Sequence, residues 1–335
     1  MTSTEDHSRL TQRGDAHQGH DLESGMLERV REWVDLFPCL RLIRILRLAA
    51  SPTMLSLTAI TFAVWVIGLG LLFELSLSEP ARIPFVLIQI RSVWGVIWTI
   101  LLWSPTAIWL TRQGGLLAAG RDMAGLQAGW RIAFQRSWRG WSTATMPLLA
   151  AFLLAAPIYA IGFIARAGES MAAVEWVAGV LAALLAIPSG LLAFGGLIAI
   201  PLSWAALGNE QDADPLNALS RGYEAFFRRP IHLAFYLLIA FLIGSVIWWI
   251  GRGMATAASL AATIYLEWSG CPQNVISTTS LTLTAVPAVM LTTLGWGFVG
   301  GIYLLLRYDT GGQEVEDLWE PTGEPGPPLP ELPTT

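Results

Sequence analysis

The sequence predicts an all-α fold: a polytopic helical membrane protein with about six transmembrane helices and additional amphipathic interfacial helices. Only 13% of the 335 residues are charged and 54% are hydrophobic, whereas a soluble domain typically carries about 25% charged residues. The hydrophobic residues form long runs, as expected of helices that cross roughly 30 Å of hydrocarbon. All 20 basic residues are arginine, and they cluster between alternate runs, which is typical of a membrane protein with a fixed orientation.

The residues before the first span are predicted to form two segments. Residues 1–25 are polar and mixed in charge, so we expect a disordered N-terminal tail, and their lack of an apolar core argues against a cleaved signal peptide. Residues 26–50 form an amphipathic interfacial segment, in which Arg41, Arg44 and Arg47 recur every third residue among leucine and isoleucine. This composition favours a helix in the head-group layer of an anionic leaflet.

A membrane domain over residues 51–307 contains the six predicted spans. The second span has the least defined start, because Gln89 and Arg91 interrupt its apolar run. That run is longer than the bilayer core requires, so we take residues 83–92 as interfacial. The spans are predicted at about residues 54–75, 93–110, 146–164, 174–202, 231–250 and 281–306.

The polar connections and the C-terminal tail have distinct compositions. Residues 111–145 are the most basic stretch, and the Asp-Pro pair at 214–215 predicts a capped amphipathic helix that runs to about Arg229. Residues 254–268 either continue the fifth span or form an interfacial helix. We expect residues 308–335 to be a disordered, acidic, Pro-rich tail.

The distribution of arginine predicts the orientation. If the N-terminus lies inside, twelve arginines next to the spans lie on the cytoplasmic side and only four on the opposite side, namely Arg82, Arg91, Arg166 and Arg252. The bias holds at every loop, as the positive-inside rule requires. We therefore expect a protein integral to the bacterial inner membrane with both termini in the cytoplasm.

Several segments resemble a known family. Residues 218–223 (ALSRGY), followed by Arg229-Pro230 and Tyr236, resemble a pattern in multi-span membrane proteins of planctomycete bacteria. The likeness extends to the strings ILRLAASP and IYLLLRYDTGG and covers most of residues 40–320. More distantly, the arrangement looks like the membrane domain of some glycerophosphodiesterases. The resemblance implies a shared six-span fold and implies no particular activity.

Arginines on the predicted cytoplasmic face are the candidate contacts for anionic lipid head groups or for a partner protein. Amphipathic helices with arginine and aromatic side chains are typical of the membrane interface. For the helix that contains Arg221, anchoring in the head-group layer is favoured over docking of a partner. The candidates are Arg41, Arg44, Arg47, Arg131, Arg136, Arg139, Arg221, Arg228 and Arg229.

Two charged residues lie next to apolar membrane sequence. Arg91 and Glu175 are the intramembrane polar candidates, because a charge within a span is costly and is often functional. Both lie near the non-cytoplasmic ends of their spans, which favours an interfacial pair or two separate snorkelling groups over a proton or ion relay. The small-residue pairs Gly195/Ala199 and Gly297/Gly301 favour helix packing within the chain over dimerisation.

No pattern in the sequence predicts a catalytic, cofactor-binding or metal site. Cys39 and Cys271 are expected on opposite sides of the membrane, and the four histidines form no nucleophile arrangement. No basic block suits nucleic acid. The leading hypothesis is a non-enzymatic protein that organises lipid or partner proteins through its basic face. A transporter or channel is the alternative, and a lipid-head-group enzyme is the third.

Overall fold

A computed structural model describes residues 37–73, 93–167, 172–211 and 214–319. These residues form a helical protein in which six helices are long and apolar enough to cross a membrane. The predicted all-α polytopic fold is therefore confirmed. The predictions for residues 1–36, for Arg91 with the interfacial segment 83–92, and for residues 320–335 lie outside the described residues.

A 3₁₀ helix precedes the first long helix, and a short amphipathic helix separates the fourth from the fifth. The 3₁₀ helix spans Pro38–Ala50. The α-helices are α1 (Pro52–Phe73), α2 (Val93–Ala118), α3 (Leu126–Ala167), α4 (Ala172–Asn209), α5 (Pro215–Arg228), α6 (Pro230–Trp268) and α7 (Gln273–Gly311).

The 3₁₀ helix has an amphipathic pattern that matches its own geometry. Leu42, Ile45 and Leu48 recur every third residue and are fully buried, which is the spacing that aligns side chains at three residues per turn. They pack on α7, where they contact the positions of Gly297 and Gly301. The described part of the predicted interfacial segment, Pro38–Ala50, is thus docked on the helical bundle along one face.

Helices α2 and α7 form the centre of the bundle and approach each other closely. An added Cβ at Gly300 would collide with the backbone of Thr111, and one at Gly114 would collide with the backbone of Gly297. Only glycine permits this approach. The predicted pair Gly297/Gly301 therefore lies in an interface within the chain.

The second small-residue pair also packs within the chain. Gly195 contacts the ring of Tyr223, and the carbonyl of Ala199 lies against Gly222. Ala218, Gly222 and Ala225 are the buried residues of α5, so the short helix lies with its small-residue face on α4. Although α5 begins at Pro215 as the Asp-Pro pair predicts, the side chain of the N-cap residue makes no capping hydrogen bond.

Several helices extend beyond the predicted spans. The stretch 111–145 is not a loop, because α2 continues to Ala118 and α3 begins at Leu126. Helix α6 is continuous to Trp268, so residues 254–268 continue the fifth span. Helix α2 also runs through Pro105. The carbonyl of Leu101, which a proline at 105 leaves without its helical donor, accepts a hydrogen bond from Trp141 Nε1 at 3.1 Å.

The predicted boundary of the C-terminal tail is wrong. Helix α7 continues to Gly311 and ends at Gly312, whose positive φ of 67° is a conformation that glycine adopts readily. Residues 313–319, named here the C-terminal segment, then pack against the bundle, with Val315 and Leu318 only 3% and 6% exposed. These apolar side chains supply the burial that an acidic tail lacks.

Candidate functional site

The ends of the helices that carry most of the arginines meet at one end of the bundle. Contacts join the 3₁₀ helix and α2 to the residues after α7, and they join α2 and α3 to the end of α4. We call this region the arginine end. Its arginines are Arg41, Arg44, Arg47, Arg112, Arg121, Arg131, Arg136, Arg139, Arg221, Arg228, Arg229 and Arg307.

Two buried arginines hold the C-terminal end of α4. Arg112 Nη1 donates to the carbonyl of Gly208 at 2.8 Å, and Arg136 donates to the carbonyls of Leu207, Glu210 and Gln211. The last carbonyls of a helix lack helical donors and carry the negative end of the helix dipole. The planar guanidinium supplies several donors in a fixed geometry, so these two side chains cap α4 and connect it to α2 and α3.

Glu210 is the acidic centre of the arginine end. Its carboxylate accepts hydrogen bonds from Arg221 and from the hydroxyl of Tyr303, and it forms an ion pair with Arg221. Burial lowers the pKa of Arg221, but the hydrogen bond with Tyr303 and the charge of Glu210 outweigh burial and raise that pKa above its ordinary value. Arg221 therefore stays charged. Together, Glu210, Arg221 and Tyr303 connect α5 to α4 and α7.

The C-terminal segment lies on the arginine end and accepts hydrogen bonds through its backbone. Arg121 Nη2 donates to the carbonyl of Glu316 at 2.7 Å. Arg307 Nη2 donates to the carbonyls of Glu314 at 3.1 Å and Asp317 at 2.5 Å. The segment is thus held at its middle by arginines from the α2–α3 connection and from α7.

Side chains of the C-terminal segment add an ion pair and an aromatic contact. Arg41 Nη1 lies 2.5 Å from Glu316 Oε1. The ring of Trp319 covers two guanidinium groups, with its centroid 4.1 Å from Arg136 Cζ and 5.3 Å from Arg112 Cζ. Such cation–π contacts are attractive. Arg112 Nη2 also donates to the carbonyl of Trp319 at 3.2 Å, so the segment covers the same arginines that cap α4.

The predicted contact residues divide into two groups. Arg41, Arg136 and Arg221 bind partners within the chain. The other predicted contacts, Arg44, Arg47, Arg131, Arg139, Arg228 and Arg229, have exposed side chains. Among these, Arg228 forms an ion pair with Glu224 at 2.7 Å. Their predicted role in binding lipid or a partner stays a prediction.

The other predicted position within the described residues, Glu175, lies in the first turn of α4 and is exposed. A negative charge is favourable at the N-terminus of a helix. Its position at the helix end fits the interfacial interpretation. Within the described ranges, no group of three or more His, Cys, Asp or Glu is placed to hold a metal ion.

Most of the polar network at the arginine end was not predicted from the sequence. Gln113 binds both the N–H and the carbonyl of Ala124, at 2.9 and 3.2 Å, and so fixes the turn between α2 and α3. One pattern in the sequence could have predicted part of this network. Polar residues next to glycine follow two apolar runs, as RQGG at residues 112–115 and as GNEQ at residues 208–211. Tyr303 and Trp319 carry no such signal, since each depends on contacts with distant parts of the chain.

No family model, no curated protein and no solved structure matches this chain. The resemblance to planctomycete membrane proteins therefore stays a prediction.

Proposed function

We propose that the protein is a non-enzymatic integral membrane protein that binds anionic lipid head groups through the exposed arginines of its arginine end. The observation that carries the proposal is the pairing of these arginines with exposed apolar side chains on three separate elements. Arginine with leucine, phenylalanine or tryptophan on one face is the composition of a surface in the head-group layer.

The 3₁₀ helix provides the first of these surfaces. Its inner face is packed on the bundle, whereas Leu40 and Ile43 are exposed beside Arg44 and Arg47. An apolar side chain that is exposed next to a cation can enter the acyl boundary while the cation binds phosphate.

The other two surfaces lie at the start of α3 and at the junction of α5 with α6. Arg131 is exposed among Phe134 and Trp138, which are 67% and 70% exposed. At the junction of α5 with α6, Arg229 is exposed, and so are Phe227 and Ile231, which lie two residues before and after it in the sequence. Aromatic and arginine side chains in this combination favour the interface between lipid and water.

The arginine bias supports an orientation in which the arginine end faces the cytoplasm of a bacterium from its inner membrane. In that orientation both termini lie in the cytoplasm, and the anionic cytoplasmic leaflet attracts each exposed arginine by about 1 kcal/mol. A transporter, a channel or a head-group enzyme would need polar groups that face a pathway or a substrate. Glu210, Arg221 and Tyr303 instead bind one another.

Lipid binding by matched variants tests the proposal. The purified protein is placed in nanodiscs that contain phosphatidylglycerol and phosphatidylcholine, and the enrichment of each lipid around it is measured. We expect substitution of Arg44, Arg47, Arg131 and Arg229 by glutamine to reduce enrichment of the anionic lipid several-fold, because four cations leave the interface. A control replaces the exposed Arg166 and Arg252 at the other end of the bundle and is expected to change it little. Equal enrichment in all three proteins would refute the proposal.

A further inference from the structure

We propose that the C-terminal segment is a displaceable ligand within the chain, and that it covers a second phosphate-binding surface for an anionic lipid head group. The inference rests on the proposed function, because it names a regulated part of the same lipid-binding end. The covered surface is formed by the groove arginines, which are Arg41, Arg112, Arg121, Arg136 and Arg307.

The groove arginines converge on one segment from different elements. Arg41 comes from the 3₁₀ helix, Arg112 from α2, and Arg307 from α7. Except for Arg136, which contacts the ring of Trp319, each donates to an oxygen atom of residues 314–319. Guanidinium groups that bind several oxygens in this way are also suited to the oxygens of a phosphate.

The segment resembles an anionic ligand in its own chemistry. It contains three acids, Glu314, Glu316 and Asp317, in seven residues, and one of them pairs with Arg41. Near an anionic leaflet the acids are repelled while the groove arginines are attracted. The same lipid surface therefore favours both steps of the exchange, release of the segment and binding of phosphate.

The bundle holds two of the groove arginines, Arg112 and Arg136, without help from the segment. Arg112 uses Nη1 for the carbonyl of Gly208 in α4 and Nη2 for the carbonyl of Trp319. Arg136 binds the end of α4 with its nitrogens and meets Trp319 through the ring contact alone. Release of the segment would therefore uncover guanidinium groups that remain fixed by α4.

The position and contacts of the C-terminal segment also favour its release from the bundle as a unit. It follows Gly312, whose left-handed conformation turns the chain at the end of α7. Few of its own side chains hold it, namely the buried side chains of Val315 and Leu318, the Glu316 carboxylate and the Trp319 ring. Its other contacts are backbone hydrogen bonds, which it accepts from arginines and which the N–H of Trp319 donates to the carbonyl of Asn209 at 3.2 Å. A segment held by so few side chains opens at a lower free energy than a packed helix.

The test weakens the segment in the full-length chain and follows both its exposure and lipid binding. The released variant carries Glu316→Gln and Trp319→Ala, which remove the ion pair and the ring contact. We expect faster amide hydrogen exchange at residues 313–319, and anionic-lipid enrichment in nanodiscs that rises about threefold or more. Glu314→Gln is the matched control: it removes one acid from the same segment at an exposed side chain, and we expect it to change neither quantity.

Two further arms identify the surface and the ligand. Arg41→Gln with Arg121→Gln, added to the released variant, should abolish the gain in lipid enrichment. In the wild-type protein, phosphatidylglycerol nanodiscs should accelerate exchange at residues 313–319, whereas phosphatidylcholine nanodiscs and free inorganic phosphate should not. Equal acceleration by free phosphate would overturn the assignment of a lipid head group as the ligand.

The result that overturns the inference is faster exchange in the released variant without a gain in lipid enrichment. If hydrogen exchange at residues 313–319 does not change in the released variant, a chain that ends at Gly312 is compared with the wild-type protein. Equal enrichment of the anionic lipid around these two proteins would then overturn the inference. Thermal unfolding and size-exclusion profiles confirm that each variant is folded. Failure of the proposed function is a separate result, because it concerns the exposed Arg44, Arg47, Arg131 and Arg229 and leaves the effect of releasing the segment measurable.

Discussion

Helices α7 and α4 are almost equal in length and both are strongly apolar, yet they use that apolarity differently. In α7, 61% of the most apolar stretch is buried inside the protein, whereas in α4 none of it is. Helix α3 resembles α4, with 6% of its most apolar stretch buried. The α3–α4 hairpin therefore presents the apolar side chains of these two stretches to lipid. Its contacts with the rest of the protein concentrate at the arginine end, where every residue of α4 from Leu202 to Asn209 is buried.

Apolar composition identifies a span but does not identify the face on which the span packs. Glycine has opposite surroundings in the two regions. At Gly300 of α7 a Cβ would meet the backbone of α2, whereas at the exposed Gly179 and Gly190 of α4 it would meet no other atom of the described protein within 4 Å. Close helix contact, rather than the presence of glycine, separates the buried core from the lipid-facing hairpin.

The largest expected effect comes from a substitution at the closest approach between α2 and α7. Gly300→Ala places a methyl group against the backbone of Thr111, and α2 can accommodate it only by moving away from α7. We expect a loss of about 2–3 kcal/mol in the free energy of unfolding, measured by denaturation in mixed micelles. Gly190→Ala is the matched control in α4, where alanine is neutral or stabilises the helix by up to about 1 kcal/mol. Equal losses in the two variants would show that the α2–α7 contact is not what distinguishes these helices.

The second prediction compares two glutamates at opposite ends of α4. Glu210 binds Arg221 and Tyr303, whereas Glu175 is exposed. Glu210→Gln weakens two charge-assisted hydrogen bonds, so we expect a loss of about 1–3 kcal/mol in the free energy of unfolding. Glu175→Gln should change it by less than about 0.5 kcal/mol. The same denaturation measurement checks both, and a Glu175 variant as unstable as the Glu210 variant would contradict the assignment of the polar core to the arginine end.

The arginine end also shows what the sequence alone could predict. The recurrence of Arg41, Arg44 and Arg47 among leucine and isoleucine and the arginine bias between spans were sufficient to predict an amphipathic segment and a basic end. They did not distinguish Arg41 from Arg44, which lie one turn apart, because Arg41 is buried against Glu316 more than 250 residues away in the sequence. The acidic, Pro-rich composition of residues 308–335 also led to the prediction of a disordered tail, although Val315, Leu318 and Trp319 lie within it. Both misses concern contacts between distant segments, which local patterns do not encode.

The smallest expected effect concerns tryptophan, which is abundant in both regions. Trp141 Nε1 donates to the carbonyl of Leu101 in α2, the group that Pro105 leaves without a helical donor. Trp141→Phe keeps an aromatic ring but removes that donor, so we expect a loss of about 1 kcal/mol in the free energy of unfolding. Trp176 in α4 is 71% exposed, and Trp176→Phe should leave the stability unchanged within about 0.5 kcal/mol. If Trp141→Phe were also neutral, the α2–α3 contact would not need the indole donor, and the difference between the core and the hairpin would rest on backbone packing alone.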